Sequence, residues 1–341
     1  MLNTVYQLKA ARQFEIVFKD IELDQEHVIV RPTHLSICHA DQRYYQGTRA
    51  EAVMRQKLPM ALIHEGIGKV VYDPTGTYEI GADVVMIPNH PVEEDPYIAE
   101  NYLRSTKFCA SSKDGFMQEY VSLSPDRLVV LPEGIDKIIA AFTEIVSVSY
   151  HAITRFLRFS HGRRDAVGVW GDGNLGYITS LLLKKMLPDT KVYVFGVNES
   201  KLNDFSFVDE TYLTSEIPQN LKIDHAFECV GGAASGKAVD QIIDNIMPEG
   251  TIALLGVSED HVPINTRMVL EKGLHLYGSS RSGRADYEGL MKLYEENPDI
   301  VYYLENIVGT TFKVSGLNDI REAFETDIHK LIGKTVMIWN E

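Results

Sequence analysis

At 341 residues the chain is long enough for two domains with ample cores, and its 45% hydrophobic and 24% charged content is ordinary for a globular protein. A formal net charge of −15 argues against nucleic acid and anionic membrane as partners, since both need a basic face, while leaving room for a small anion in a local basic pocket. Three scattered cysteines, Cys38, Cys109 and Cys229, make no disulfide framework, and with neither a signal-type start nor a membrane-length apolar window the expected compartment is the cytoplasm.

In chain order, short Val/Ile/Leu-rich segments separated by turn residues run to about residue 140: Glu26–Pro32, Gly66–Val71, Asp83–Pro88, Gly115–Val121 and Leu128–Pro132. Their spacing predicts a β-rich, partly closed barrel, interrupted at residues 89–114 by an irregular lobe with Pro91, Glu93, Glu94, Asp95 and Pro96. A helical pattern begins near Ile138 and runs through Ile145, Val148 and Ile153. From Ala166 strands alternate with helices, with Lys191–Phe195, His225–Val230 and Gly250–Leu255 as the later strands, which is the signature of a parallel sheet with crossover helices. After about Gly278 come helices over Tyr287–Glu296 and Ile320–Thr326 and a strand over Lys334–Trp339, a tail expected to return to the first domain.

Within the alternating region, Ala166–Trp170 breaks into Gly171-Asp172-Gly173-Asn174-Leu175-Gly176 and resumes as the apolar run Ile178–Leu183. Strand, glycine turn and helix in that order are the dinucleotide fingerprint. Gly171 can take a positive φ, Gly173 lets a pyrophosphate approach, and Gly176 brings helix and strand close, while the N–H groups of Asn174 and Leu175 open the helix. A carboxylate normally ends the second strand and binds the ribose 2′-OH, but Gly196 stands there. A 2′-phosphate meets no repulsion at that point, and Asn198, Ser200 and Lys201 can donate to it, so NADPH is the expected cofactor. Glu199, three residues late, is the competing 2′-OH acceptor.

Three stretches of the first 150 residues carry metal-ligand side chains: Cys38, His64-Glu65 and Glu144. Zinc takes thiolate, imidazole and carboxylate and keeps one position open when catalytic. Taken singly, Cys38 ordinarily reads as a small buried residue, His64 as a satisfied polar group and Glu144 as a solvated helix residue.

The order Cys38, His64-Glu65, Glu144, Gly171-x-Gly173-x-x-Gly176, Phe227-Glu228-Cys229-Val230-Gly231-Gly232 resembles the zinc-dependent medium-chain dehydrogenases over nearly the whole chain. Glu144 at the third ligand position resembles their polyol dehydrogenase branch. Within it, Ser36–Gly47 and Gly278–Arg284 look closest to the reductases that turn ribulose 5-phosphate into ribitol 5-phosphate for teichoic acid or capsule.

The resemblance implies an α/β protein with a GroES-like catalytic domain (1–145 and 279–341) and a doubly wound Rossmann domain (146–278), binding NADP and one catalytic zinc. Cys38, His64 and Glu144 would be ligands, Glu65 would sit at or beside the metal, and Asp41 would support them. A homodimer or homotetramer and a cytidylyltransferase partner fit the same family. The substrate phosphate calls for cations, and Arg43, Arg49, Lys57, Arg281 and Arg284 are the candidates near the motifs.

Two departures stand out. Many relatives hold a structural zinc on four cysteines in the lobe, where this chain has Cys109 alone, so no structural zinc is expected. Ala40 replaces the usual Ser or Thr hydroxyl of the proton relay, leaving the relay to water, His39 or another group. NAD-dependent oxidation of an unphosphorylated polyol and a non-catalytic nucleotide sensor are the rival readings.

Overall fold

The structure, a computed structural model, describes residues 1–330 and 333–339. The chain divides into two compact units: Met1–Ile145 with Ser282–Glu341, and Val146–Arg281.

The first unit is β-rich. Strands Leu128–Val130, Asp83–Met86, Glu65–Tyr72, Val28–Ile37, Lys334–Trp339 and Val308–Val314 form one sheet in that spatial order, and Val121–Leu123 also pairs with Val28–Ile37. A second sheet joins Gln13–Asp20, Leu2–Ala10 and Met60–Ala61. Lys334–Trp339 lies between Val28–Ile37, to which it is antiparallel, and the edge strand Val308–Val314, so the tail completes one side of the larger sheet. Its Trp339, at 1% exposure, packs in one core with Val5, Leu35, Phe116 and Phe324. Helix Leu317–His329 presents Phe324 to the rings of Phe14 and Tyr45, with centroids 5.3 and 4.8 Å away.

The pairing differs from the sequence expectation in three places. The hairpin Leu2–Ala10/Gln13–Asp20 has no clean apolar alternation because buried Asn3 and Gln7 point inward. Asn3 Nδ2 donates to Gln118 Oε1 and to the Tyr120 carbonyl, each at 3.0 Å, which satisfies a polar group in the core. Val308–Val314 is only half-buried on alternate residues and carries little hydrophobic signal. Residues 115–117 run against the segment before Glu65, with Gly115 N donating to Ala61 O and Phe116 N to Ile63 O, and the regular strand starts only at Val121.

The lobe at 89–114 is tied by Arg127, which is 3% exposed. Its Nη1 donates to the Asn89 carbonyl at 2.9 Å and to Glu100 Oε1 at 2.8 Å.

The second unit is a six-stranded sheet of Ala166–Trp170, Lys191–Gly196, Glu210–Leu213, His225–Glu228, Thr251–Leu254 and His275–Gly278, all parallel. Numbered along the chain, the spatial order is 3-2-1-4-5-6, the dinucleotide-binding winding with its switch at the first strand. Trp170 and Phe195 stack at 3.8 Å across the first two strands, among Ile223, Ile242 and Ile252. No helix among the described residues is long and apolar enough to cross a membrane.

Candidate active site

Cys38 ends the strand Val28–Ile37 and caps the helix His39–Tyr45. Asp41, 1% exposed, accepts from Cys38 N at 3.0 Å through one oxygen and from Ile63 N at 2.9 Å through the other. That carboxylate clamps together two segments that are distant in sequence, each of which delivers a ligand-type side chain. Ile63 carries a φ of +70°, costly for a β-branched residue, and this strained step sets the direction of His64. Glu65 then opens the strand Glu65–Tyr72. A Cβ on the following Gly66 would lie 2.6 Å from Leu35 Cδ2 and 3.1 Å from the His34 carbonyl, so a side chain there would have to displace the packed Leu35.

The ligand atoms of Cys38, His64 and Glu65 all lie within 4.8 Å of one another. Glu144, in the first turn of the helix Thr143–Phe159, is 6% exposed rather than solvated, and the charges of His64, Glu65 and Lys334 act on its carboxyl. One partner escaped the sequence: Lys334, 3% exposed, donates to Glu65 Oε1 at 2.8 Å and to the Ile37 carbonyl at 3.0 Å. Lysine in a strand otherwise composed of core residues is the signal that could have found it.

Burial pushes the Cys38 thiol and the Asp41 and Glu144 carboxyls above their ordinary pKa values. For His64 burial works the other way, but Asp41 and Cys38 outweigh it and lift the imidazole. Four acidic groups thus share a buried space with one lysine and one histidine. Unpaired buried anions are expensive, and a divalent cation relieves this excess. The donors, one sulfur, one imidazole nitrogen and carboxylate oxygens, are those of a zinc site.

In the second unit, Gly171 has a φ of +130°, and a Cβ on Gly176 would sit 1.9 Å from the Gly171 carbonyl. Gly173 caps the helix Asn174–Met186, with nothing within 4 Å of where its Cβ would be. Asn174 and Leu175 form the first turn.

Asp172 explains Gly196. Its carboxylate accepts from Val197 N and Asn198 N, each at 2.8 Å, and a Cβ on residue 196 would come within 2.8 Å of that same oxygen. Asn198 Oδ1 accepts from Ser200 N at 3.0 Å, Ser200 Oγ at 2.6 Å and Lys201 N at 3.3 Å, so these three residues come together as the cap of the short helix Glu199–Leu202. Glu228, 1% exposed, accepts from Val230 N and Gly231 N at 2.9 and 2.8 Å and ties the fourth strand's exit to Gly256 at 3.2 Å.

The five phosphate candidates separate. Arg284 is engaged within the fold: its Nε donates to Glu288 at 2.7 Å and its Nη1 to the carbonyls of Pro125 and Leu128, each at 3.1 Å. Lys57 lines a surface cavity of about 460 Å³ with Gln7, Lys19, Lys113 and Asp114. Arg281, with a φ of +59°, ends the second unit. Arg43 and Arg49 lie with the helix that follows Cys38.

A half-buried thiol beside a buried imidazole and carboxylate in one unit, and a dinucleotide-winding sheet in the other, define a metal-dependent, nucleotide-using oxidoreductase. Residues 24–133 match the alcohol dehydrogenase GroES-like domain and residues 189–296 the zinc-binding dehydrogenase family, and the chain belongs to that family of zinc-binding dehydrogenases. It is 56% identical to ribulose-5-phosphate reductase of Bacillus spizizenii, covering 99% of each chain. It is 45% identical to ribulose-5-phosphate reductase of Streptococcus pneumoniae, covering 99% of this chain and 98% of the other. The crystal structure of Staphylococcus aureus TarJ in complex with NADPH superposes with a TM-score of 0.89 over 100% of both chains, at 50% identity.

Proposed function

We propose that the chain reduces the ketone of D-ribulose 5-phosphate to the alcohol of D-ribitol 5-phosphate with NADPH at a zinc centre. The observation that carries this reading is the convergence of half-buried Cys38 with buried His64 and Glu65, in a chain 56% identical to a ribulose-5-phosphate reductase over 99% of its length. Cys38, His64 and Glu144 would hold the zinc, with Glu65 beside it. Bound zinc supplies a Lewis acid for a carbonyl oxygen, and NADPH supplies the hydride.

The remaining work falls to the chain's own residues. Asp41 holds the Cys38 and Ile63 amides in register and places its charge 3.8 Å from His64 Nδ1. Phe108 packs its ring 5.2 Å from the His64 ring and keeps water off that face. Lys334 neutralises Glu65 and restrains the carboxylate. Ala40 has no proton to give the product oxygen, so the relay passes through water or the neighbouring His39.

In the second unit, Gly171, Gly173, Asn174, Leu175 and Gly176 would receive the pyrophosphate, and Lys201 with the Asn198 amide and Ser200 the 2′-phosphate. The enzyme would act in the cytoplasm as a homodimer or homotetramer, handing ribitol 5-phosphate to a cytidylyltransferase for wall or capsule polymers.

The test is NADPH consumption across ribulose 5-phosphate, xylulose 5-phosphate and free ribulose, with sorbitol plus NAD in the reverse direction. The highest kcat/KM is expected for ribulose 5-phosphate with NADPH. A tenfold preference for NADH, or sorbitol as the best substrate, overturns the reading.

A further inference from the structure

Basic side chains gather along the chain just beyond Cys38. The helix His39–Tyr45 starts at the next residue, and His39 and Arg43, four apart, share one of its faces. The chain then reverses at Gly47, where φ is +71°, and returns the Arg49 guanidinium over the Tyr44 ring, 4.3 Å from its centroid. Arg49 Nε is buried without a hydrogen-bond partner, and Arg49 forms no ion pair among the described residues.

Arg43 and Tyr44 are neighbours on this helix, so the stacked Arg49 guanidinium stands at the same end of it as Arg43. The acid that faces His39, Asp327, is already engaged: it accepts from Gln42 Nε2 at 2.9 Å and pairs with Lys330.

A stacked guanidinium with an orphaned buried N–H is costly to keep, and an oxyanion is the partner that satisfies it in the forked geometry arginine favours. We infer that Arg49, with Arg43, forms the subsite that takes the dianionic phosphate monoester of the substrate. This rests on the proposed phosphorylated ketose as substrate. The scale agrees: Arg43 lies five residues beyond Cys38, about 7.5 Å along a helix axis, comparable to the five bonds between the ketone carbon and the phosphorus of a pentulose 5-phosphate.

The test compares wild type with Arg49→Met, Arg49→Lys and Arg43→Gln on D-ribulose 5-phosphate and free D-ribulose, and measures inorganic phosphate binding to each by calorimetry. In Arg49→Met the ratio of kcat/KM for phosphorylated over free ketose should fall by about 10- to 100-fold, with weaker phosphate binding, and Arg49→Lys should recover part of both. Arg43→Gln should lower the ratio less.

An unchanged ratio, whether both substrates suffer alike or neither does, overturns the subsite. Failure of the functional reading looks different, as wild type that does not turn over ribulose 5-phosphate. In that case phosphate binding still decides: loss in Arg49→Met keeps an anion subsite, and equal binding removes it.

Discussion

The glycine turn at 171–176 and the donor cluster around Cys38 are built in opposite ways. The turn is contiguous: three glycines within six residues fulfil three steric conditions, and the chain's own local winding brings them together. The cluster draws Cys38, His64, Glu144 and Lys334 from four separate stretches, with Lys334 and Glu65 269 residues apart, and depends on the sheet to assemble. A local motif is held by backbone conformation. A dispersed one is held by buried charge, and the two should break differently.

The largest effect belongs to the cluster's donors. Cys38→Ser or His64→Ala should lower kcat/KM by about 10³-fold or more, by analogy with the loss of a group acting directly on developing charge, and zinc content by atomic absorption should fall. NADPH affinity by fluorescence titration should stay within twofold to threefold of wild type. A variant that keeps full activity when stripped of metal would remove the metal from the chemistry.

Next comes the buried ion pair. Lys334→Met leaves the Glu65 carboxylate alone at 0% exposure and should cost about 3–5 kcal/mol in urea unfolding. The double variant Lys334→Met/Glu65→Gln should recover most of it. Equal loss in the single and double variants would mean that Lys334 matters for packing rather than charge.

Gly176→Ala probes the turn. Its methyl would lie 1.9 Å from the Gly171 carbonyl, so the turn must open, and NADPH affinity should fall by about 100-fold or more while zinc content holds. Loss of zinc alongside cofactor would undo the proposed independence of the two sites.

The smallest effect is a pH dependence in the second unit. His225 Nδ1 accepts from Thr251 N at 3.0 Å and its Nε2 donates to the Arg163 carbonyl at 2.9 Å, so the ring is held neutral. Burial first, and then His161, lower its pKa to about 4. In the unfolded chain the value is about 6.5, so this contribution is complete above that pH and declines as the pH falls toward 4. Unfolding free energy should drop by about 2 kcal/mol between pH 7 and pH 5, a decline that His225→Gln should flatten. An equal slope in the variant would assign the dependence to other groups.

What could be read from the sequence follows the same division. The dinucleotide winding was legible because period, turn and helix are local, and Gly196 was visible as a missing carboxylate. That Asp172 reaches across and fills the space was not, because the contact joins two different strand ends. Cys38, His64 and Glu144 were visible as residue types but became a set through family resemblance. Nothing local marks Lys334 as the partner of Glu65, because that carboxylate lies on another strand. The bonds of the Arg284 guanidinium to the carbonyls of Pro125 and Leu128 join residues more than 150 apart, and no local pattern announces them.

The pairing of Lys334–Trp339 with the early strand Val28–Ile37 has a consequence for how the molecule is made. Its antiparallel neighbour Val28–Ile37 leaves the ribosome nearly three hundred residues earlier, as Ile37 and Lys334 are 297 apart. For most of synthesis that nascent half-sheet exposes the open edge that the late strand will cover, with Glu65 still lacking its lysine. The unit built from residues 146–281 has every one of its strands in hand by then and can close first. The nucleotide-binding fold thus matures before the metal pocket, and a chain truncated just short of Lys334 would keep the former and never complete the latter.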